Sequence, residues 1–127
     1  MARNLSRKVD TMEHDGLISG VTPQVKIGGG VIGKLDAEAT YARGTVLAKK
    51  EADNKLVILG TAGEGLIPNC ILADDVVVGT DADVNVAIYE MGCFNPEKLT
   101  VAEGHTITEA EKDELRQRGI YLTAVSN

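Results

Sequence analysis

A glycine-rich run near the N-terminus has the spacing of a phosphate-binding loop. Residues 28–34 fit the pattern G-x-x-x-x-G-K, and they follow the β-competent segment Val25-Lys26-Ile27. In such a loop, backbone N–H groups surround phosphate oxygens and the lysine supplies the counter-charge. The next residue, however, is Leu35 rather than a Ser or Thr that could hold magnesium, and no repeated βαβ pattern follows. We therefore interpret the run as a glycine-rich hinge ahead of the folded domain.

The other reactive side chains lack the spacing of a metal centre or a catalytic set. No short ligand pattern such as C-x2-C or H-x3-H joins the cysteines and histidines, which are Cys70, Cys93, His14 and His105. A nucleophile and base formed by Cys93 and His105 stays open, although both cysteines have the surroundings of small core hydrophobes. The sequence predicts no catalytic, cofactor-binding or metal-ligating residues.

Paired carboxylates could serve acid–base chemistry or bind calcium, but their settings favour turns. Asp74 and Asp75 are adjacent, and Asp81 and Asp83 lie in the run Gly-Thr-Asp-Ala-Asp. The second pair lacks the remaining ligands and the closing Glu of an EF-hand loop. Asp in such a loop usually supports a turn through its side-chain oxygens, and we interpret these residues in that way.

Short strands must position these side chains. We predict them at residues 44–48, 56–59, 70–73, 76–78 and 84–91, the first two joined as a hairpin. Thr108 and Glu111 have the spacing of a capping box and predict a helix over residues 109–118, with Gly119 at its end. Asn95-Pro96 predicts a shorter helical turn, and residues 120–122 a last strand.

The composition favours a β-rich domain made from aliphatic residues. The 127 residues include no Trp, one Phe and three Tyr, so the core must consist of Val, Ile, Leu and Ala. We predict an α+β, β-rich fold: a small, mostly antiparallel sheet or barrel with one or two short helices. Two cysteines do not make a disulfide framework, although one Cys70–Cys93 bridge stays open, and a reducing cytosol is expected.

Charge is distributed unevenly along the chain. Residues 1–50 carry eight Lys/Arg and five Asp/Glu, a net charge of +3, whereas residues 51–127 carry five and fourteen, a net charge of −9. An acidic body should repel nucleic acid, so no direct contact with it is expected. No apolar run is long enough to cross a bilayer, and no membrane partner is expected.

Residues 1–40 are predicted to form an extended N-terminal arm, and residues 41–127 a β-rich domain. The first segment is rich in glycine and has few large side chains to offset the entropy that it loses on ordering. Residues 25–27 and 31–32 could add a strand to the sheet edge of another chain. A plain disordered tail without a partner is the alternative.

Four segments of the domain resemble the lambda-type bacteriophage head decoration proteins. They are residues 41–47, which begin Tyr-Ala-Arg-Gly; residues 70–76, with Cys70 where the family usually has glycine; residues 86–95, which end in Gly-Cys-Phe-Asn; and residues 115–122. The segments follow one another in the order of the family. The alternative is another virion or tail component, or a β-barrel interaction module.

This resemblance implies a structural virion protein without an active site. Such a protein is made in the host cytoplasm and binds the outer surface of an expanded phage capsid as homotrimers at three-fold and quasi-three-fold positions. There it stabilises the head against the pressure of packaged DNA. Its partners would be the major capsid protein and its own copies. The contacts with the capsid are then expected from the arm, at Arg3, Leu5, Arg7, Lys8, Val9, Val25, Ile27, Val31 and Ile32.

Overall fold

A computed structural model of the protein describes residues 16–20, 24–61 and 65–123. These residues form nine strands, one α-helix and one turn of 3-10 helix. The strands are β1 (Ile18–Gly20), β2 (Lys26–Ile32), β3 (Ala39–Tyr41), β4 (Val46–Lys50), β5 (Leu56–Ile58), β6 (Leu66–Leu72), β7 (Val76–Val78), β8 (Val84–Phe94) and β9 (Ile120–Leu122). The 3-10 turn spans Pro96–Lys98, and the helix, α1, spans Glu109–Gln117.

Five strands close into a barrel in the order β8-β2-β5-β4-β6 and back to β8. All pairs in this ring are antiparallel except β2 and β5, which meet in parallel at Ile32 and Leu56. Closure removes most of the exposed edges that an open sheet would carry. The predicted α+β, β-rich fold with a small and mostly antiparallel barrel is confirmed.

Strand β8 belongs to two sheets. Its first part pairs with β2 on one side and β6 on the other, within the barrel. Beyond Gly92, which has a φ of +149°, β8 continues between β1 and β9 in a second, three-stranded sheet. A side chain at Gly92 would collide with the ring of Phe94, 3.0 Å from the position of its Cβ. The left-handed glycine therefore marks the point where the strand passes from one sheet to the other.

Successive side chains of a barrel strand point to opposite faces, so the apolar ones form two cores, one on each face of the wall. The inner core fills the barrel and consists of Ile32, Leu47, Leu56, Cys70, Leu72, Val78 and Ile88. The outer core lies between the barrel wall and α1 with the second sheet, and includes Leu17, Val46, Ile71, Tyr89, Phe94, Leu115 and Ile120. A two-stranded ribbon of β3 and β7 packs on the inner core through Val78, at the end of the barrel near Ile32. The wall is thus buried on both faces along parts of β4, β6 and β8, whereas most of β2 is partly or fully exposed.

The predicted helix and its capping box are confirmed. The Thr108 hydroxyl accepts the N–H of Glu111 at 3.1 Å, and the Glu111 carboxylate accepts the N–H of Thr108 at 2.9 Å. The helix ends one residue before the predicted limit, and Leu115 is its buried residue. The Asn95 side chain accepts the N–H of Glu97 and begins the 3-10 turn, as predicted. These two ends are specified by local sequence alone.

The hairpin of β4 and β5, the short strand β7 and the final strand β9 also match their predictions.

Strand β6 is longer than predicted, because it begins at Leu66 and contains Pro68. Proline removes a ladder donor and argues against a strand interior. Here Pro68 lies opposite Ala48 at a shift in register between β4 and β6. The irregular pairing accommodates a residue that cannot donate to the ladder.

The prediction that residues 1–40 form an arm apart from the domain is wrong for Ile18–Gly20, Lys26–Ile32 and residues 39–40, which pair with strands of the domain. The glycine run is not a hinge, because it lies in β2, whose residues 26–32 pair with β8. Glycine is needed at position 30, where a Cβ would lie 2.6 Å from Cδ1 of the buried Leu56, whereas a Cβ on Gly28 would meet only the flexible end of the Glu90 side chain. Residues 1–15 lie outside the described part of the chain.

Gly30→Ala should destabilise the barrel by about 1–3 kcal/mol, the usual cost of overpacking. The new methyl would lie 2.6 Å from Cδ1 of Leu56, which is 2% exposed and packed in the inner core, so Leu56 would have to leave its packed position. Gly29→Ala is the matched control, because its Cβ would meet only the Val86 carbonyl oxygen at 4.0 Å. Urea unfolding measures both free energies. Equal stability of the two variants would contradict the packing that we assign to Gly30.

Thr108→Ala should lower the free energy of unfolding by about 1 kcal/mol, because it removes the helix cap. The exposed Thr106, which makes no such bond, provides the control Thr106→Ala, with an expected change within about 0.5 kcal/mol. Thermal unfolding followed by circular dichroism compares the two. The same loss in both variants would mean that the cap does not stabilise the helix.

Candidate functional site

The residues predicted for the arm fall into two groups. Arg3, Leu5, Arg7, Lys8 and Val9 lie outside the described residues. The other four lie within the domain, where Val25 packs against the outer core and Ile32 is fully buried in the inner core. Ile32 therefore contacts the protein's own interior, and its assignment to an external contact is wrong. Ile27 is 59% exposed and Val31 is half-buried, so for these two the contact stays a prediction.

Large exposed apolar side chains occur at separate points of the described surface. Ile27 lies on β2, Val77 on the β3–β7 ribbon and Tyr121 on β9, with exposed fractions of 59%, 55% and 40%. Strands β1 and β9 flank the same end of β8, and each is the outer strand of the second sheet. Outer strands of this kind can accept another chain by hydrogen bonding along the backbone.

Arg43, in the segment that resembles the family, joins two parts of the barrel. Its Nη1 donates to the Tyr89 hydroxyl at 2.7 Å, and its guanidinium carbon lies 5.4 Å from the centre of that ring. Its backbone N–H donates to an Asp75 carboxylate oxygen at 2.8 Å. The following Gly44 has a φ of +97°, and a Cβ there would lie 2.8 Å from the Lys98 carbonyl oxygen. This Arg-Gly step is therefore a packing feature of the fold.

A polar opening lies at the end of the barrel away from the β3–β7 ribbon. We call it the barrel mouth; it comprises Lys26, Lys49, Asn69, Glu90 and Arg118. Lys49, Asn69, Glu90 and Arg118 line one hollow together, and Lys26 Nζ lies 3.9 Å from Glu90 Oε1. An adjoining cleft of about 240 Å³ reaches Leu56 and Ile88 at the inner core. Three cations thus surround one carboxylate at the edge of an apolar floor.

Sequence reasoning missed the barrel mouth. Lys26 belongs to β2, Lys49 to β4, Glu90 to β8, and Arg118 follows α1. No motif spacing relates four residues so far apart in the chain. The charge distribution could not reveal them either, since Arg118 follows a long acidic stretch that separates it from Lys26 and Lys49.

The lysine of the phosphate-loop pattern serves a different purpose. The N–H of Lys34 donates to Asp83 Oδ1 at 2.9 Å, and Lys55 Nζ lies 2.8 Å from Asp83 Oδ2. The hydrogen bond from Lys55 is the main cause that lowers the pKa of Asp83, and the Lys34 N–H adds to it. Asp83 thus joins the loops that follow β2 and precede β5 and β8, so its side chain links distant loops instead of supporting its own turn, which is the role predicted from the sequence.

His105 and the two cysteines do not form a catalytic pair. His105 Nε2 lies 2.8 Å from Glu111 Oε1, within the capping box of α1. Cys93 Sγ lies 3.3 Å from the Ser19 hydroxyl, and both cysteines are free. Burial raises the pKa of the Cys70 thiol to about 12. Because the thiolate is the reactive form, Cys70 is suited to packing rather than to nucleophilic attack.

The described residues contain neither a metal-binding group nor a membrane-spanning helix. In residues 16–20, 24–61 and 65–123, no three His, Cys, Asp or Glu side chains are grouped so that they could hold a metal ion. No helix in this part of the chain combines the length and apolar character needed to cross a membrane.

The raised pKa predicts that Cys70 resists alkylation in the folded protein. In a Cys93→Ser variant at pH 8, Cys70 should react with iodoacetamide about a thousandfold more slowly than a free thiol, by its thiolate fraction alone. Mass spectrometry measures the modification, and the same variant in 6 M urea provides the reactive control. Rapid modification of the folded protein would contradict the buried environment of Cys70.

Comparison with known proteins identifies the family that the chain matches. A model of the bacteriophage lambda head decoration protein D family matches residues 10–120, which include every strand of the barrel, helix α1 and the start of β9. A comparison with curated proteins gave no match. The family match covers far more than half of the chain, and the matched residues include the four segments in which the sequence resembles this family, apart from the last two residues of the fourth. The chain therefore belongs to the bacteriophage lambda head decoration protein D family, whose members are structural components of the phage capsid.

Proposed function

We propose that this protein binds the outer surface of an expanded bacteriophage capsid and stabilises the head against the pressure of packaged DNA. It does so as homotrimers at three-fold and quasi-three-fold positions, in contact with the major capsid protein, and without catalytic activity. The protein is made in the bacterial cytoplasm before it joins the virion. The observation that carries this proposal is the family match over residues 10–120.

The rigidity of the domain supports this role. A cement protein must transmit load between neighbouring subunits without deforming. The barrel has one core inside and one outside, and together they cover both faces of β4 and β6. Close-packed interiors of this kind have low compressibility. The domain is therefore suited to serve as a stiff block on a shell.

The N-terminal segment is the part of the chain best suited to reach a neighbouring subunit. Leu17 is buried, and β1 fixes the chain beside Phe94 through the pair Ile18 and Phe94. The residues before this anchor include Arg3, Arg7 and Lys8. We revise the proposed arm accordingly, from residues 1–40 to residues 1–15.

Weak attachment by each arm would still hold a trimer firmly. Each backbone hydrogen bond added along a neighbour's strand contributes about 0.5–1.5 kcal/mol net. Three arms on one trimer act at a high effective concentration, so the trimer remains bound when one arm detaches. Because binding favours the shell state that presents the sites, an expanded head is stabilised by mass action.

Deletion of residues 2–15 should abolish binding to expanded empty heads of the matching phage and leave the domain folded. The deletion keeps Leu17 and β1, so the outer core retains its packing. Co-sedimentation and cryo-electron microscopy measure the number of copies on each head, and light scattering after size exclusion measures the trimer. A variant with residues 2–15 replaced by a Gly/Ser segment of equal length is the matched control, and it should fail to bind as well.

Two results would contradict this proposal. Full-length protein that leaves matched expanded heads bare would overturn capsid decoration itself. Normal head binding by the deletion variant would overturn the assignment of attachment to residues 1–15. If trimers disappear with the deletion, the segment forms the subunit interface rather than the capsid contact.

A further inference from the structure

The barrel is incompletely closed beside the barrel mouth. Strands β2 and β5 pair only at Ile32 and Leu56, and the N–H of Gly33 adds one bond to the Leu56 carbonyl. From this point toward Lys26, β2 diverges from its neighbour. Within the described part of the chain, no backbone partner lies along the outer edge of residues 26–31. An unpaired strand edge is a template for another extended segment.

The opening between β2 and β5 is a gap with two sides. Gly29, Gly30 and Val31 of β2 line one side, and Lys49 and Asn54 line the other. Gly29 is exposed and its Cβ position is open, so the edge carries no side chain that would keep another backbone away. The space between the two sides is about 240 Å³, with an apolar floor, which suits a short stretch of polypeptide with one side chain turned inward.

The charge at the barrel mouth has the opposite sign to that of the whole protein. Lys26, Lys49 and Arg118 surround the single carboxylate of Glu90, whereas the chain carries a net charge of −6. Glu90 is partly neutralised by Lys26, which leaves Lys49 facing the gap and Arg118 in the adjoining hollow that Lys49 also lines. Lys49 and Arg118 have no salt bridge with another residue within the described ranges. A segment with negative side chains complements this surface.

We infer that the barrel mouth binds an extended, acidic segment of a capsid shell subunit, which adds to the outer edge of β2 and places its carboxylates beside Lys49 and Arg118. The identity of the partner rests on the proposed function. The segment forms backbone hydrogen bonds with residues 26–31 and turns an apolar side chain toward Leu56 and Ile88. The barrel mouth thus gives each domain a second point of attachment, besides residues 1–15.

A peptide experiment on the free, full-length protein tests this inference without a capsid. The probe is acetyl-Glu-Val-Glu-Val-Glu-amide, titrated into ¹⁵N-labelled protein at low ionic strength. The expected result is a saturable shift of the amide resonances of residues 26–31 and of Lys49, which weakens at high salt because the charges are screened. The sequence-matched peptide with Lys in place of Glu is the control, and it should leave these resonances unchanged.

Charge reversal identifies the residues responsible. Lys49→Glu, and separately Arg118→Glu, should weaken binding of the acidic peptide about tenfold, since each replaces an attraction with a repulsion. Lys112→Glu makes the same change of charge on α1, away from the barrel mouth, and should leave the affinity unchanged. Unaltered amide resonances of the outer core would establish that each variant remains folded.

The outcomes separate this inference from the proposed function. Absence of shifts at residues 26–31, or equal binding of the lysine peptide, would overturn the inferred binding surface while capsid decoration stands. If the protein binds the acidic peptide but does not bind matched expanded heads, capsid decoration is wrong, and so is the shell subunit as the partner of the barrel mouth. If the Lys49→Glu variant binds heads in the same number of copies as the wild-type protein, the shell subunit is also excluded as the partner. If fewer copies bind while residues 1–15 are intact, the result supports the shell subunit.

Discussion

The pairing of β2 with β8 holds the barrel together, and Gly30 of β2 also lets Leu56 of β5 pack closely against the strand. A larger residue at position 30 would displace the buried Leu56 from the inner core. With that pairing in place, β8 can form the barrel wall and continue past Gly92 into the second sheet. The inner core, the outer core and the positions of both outer strands follow from this one long strand.

Local sequence specified the elements whose causes are local. The capping box of Thr108 and Glu111, the Asn95 cap and the alternation of β8 each depend on residues within a few positions of one another, and all were predictable. The glycine run of β2 was misread as a hinge, because its reason lies in Leu56, far along the chain. The barrel mouth was invisible for the same reason, since only barrel closure brings Lys49 and Arg118 together.

The side chains whose types are suited to catalysis or metal binding have structural roles in the fold. Cys70 is a buried member of the inner core, His105 lies against the first turn of α1, and Asp83 fastens two loops to Lys34 and Lys55. In a domain with few aromatic residues, such polar links add specificity that aliphatic packing alone does not supply. The barrel mouth differs, because Lys49 and Arg118 stand at its rim without an ion-pair partner in the described chain. This contrast separates groups that maintain the fold from groups available to another molecule.

The pairing around Phe94 has a consequence for protein engineering. Ile18, the first residue of β1, and Leu122, the last residue of β9, both lie opposite Phe94, on its two sides. At the usual spacing of neighbouring strands, these two residues are about 10 Å apart. A circular permutant that keeps the buried Leu17 could therefore join Thr123 to Gly16 through a short linker and open the chain in a distant turn. By the same geometry, a cargo domain fused after Thr123 would emerge on the far side of β8 from β1, about two strand spacings from Ile18, so a display fusion on this scaffold needs a spacer that keeps the cargo away from β1.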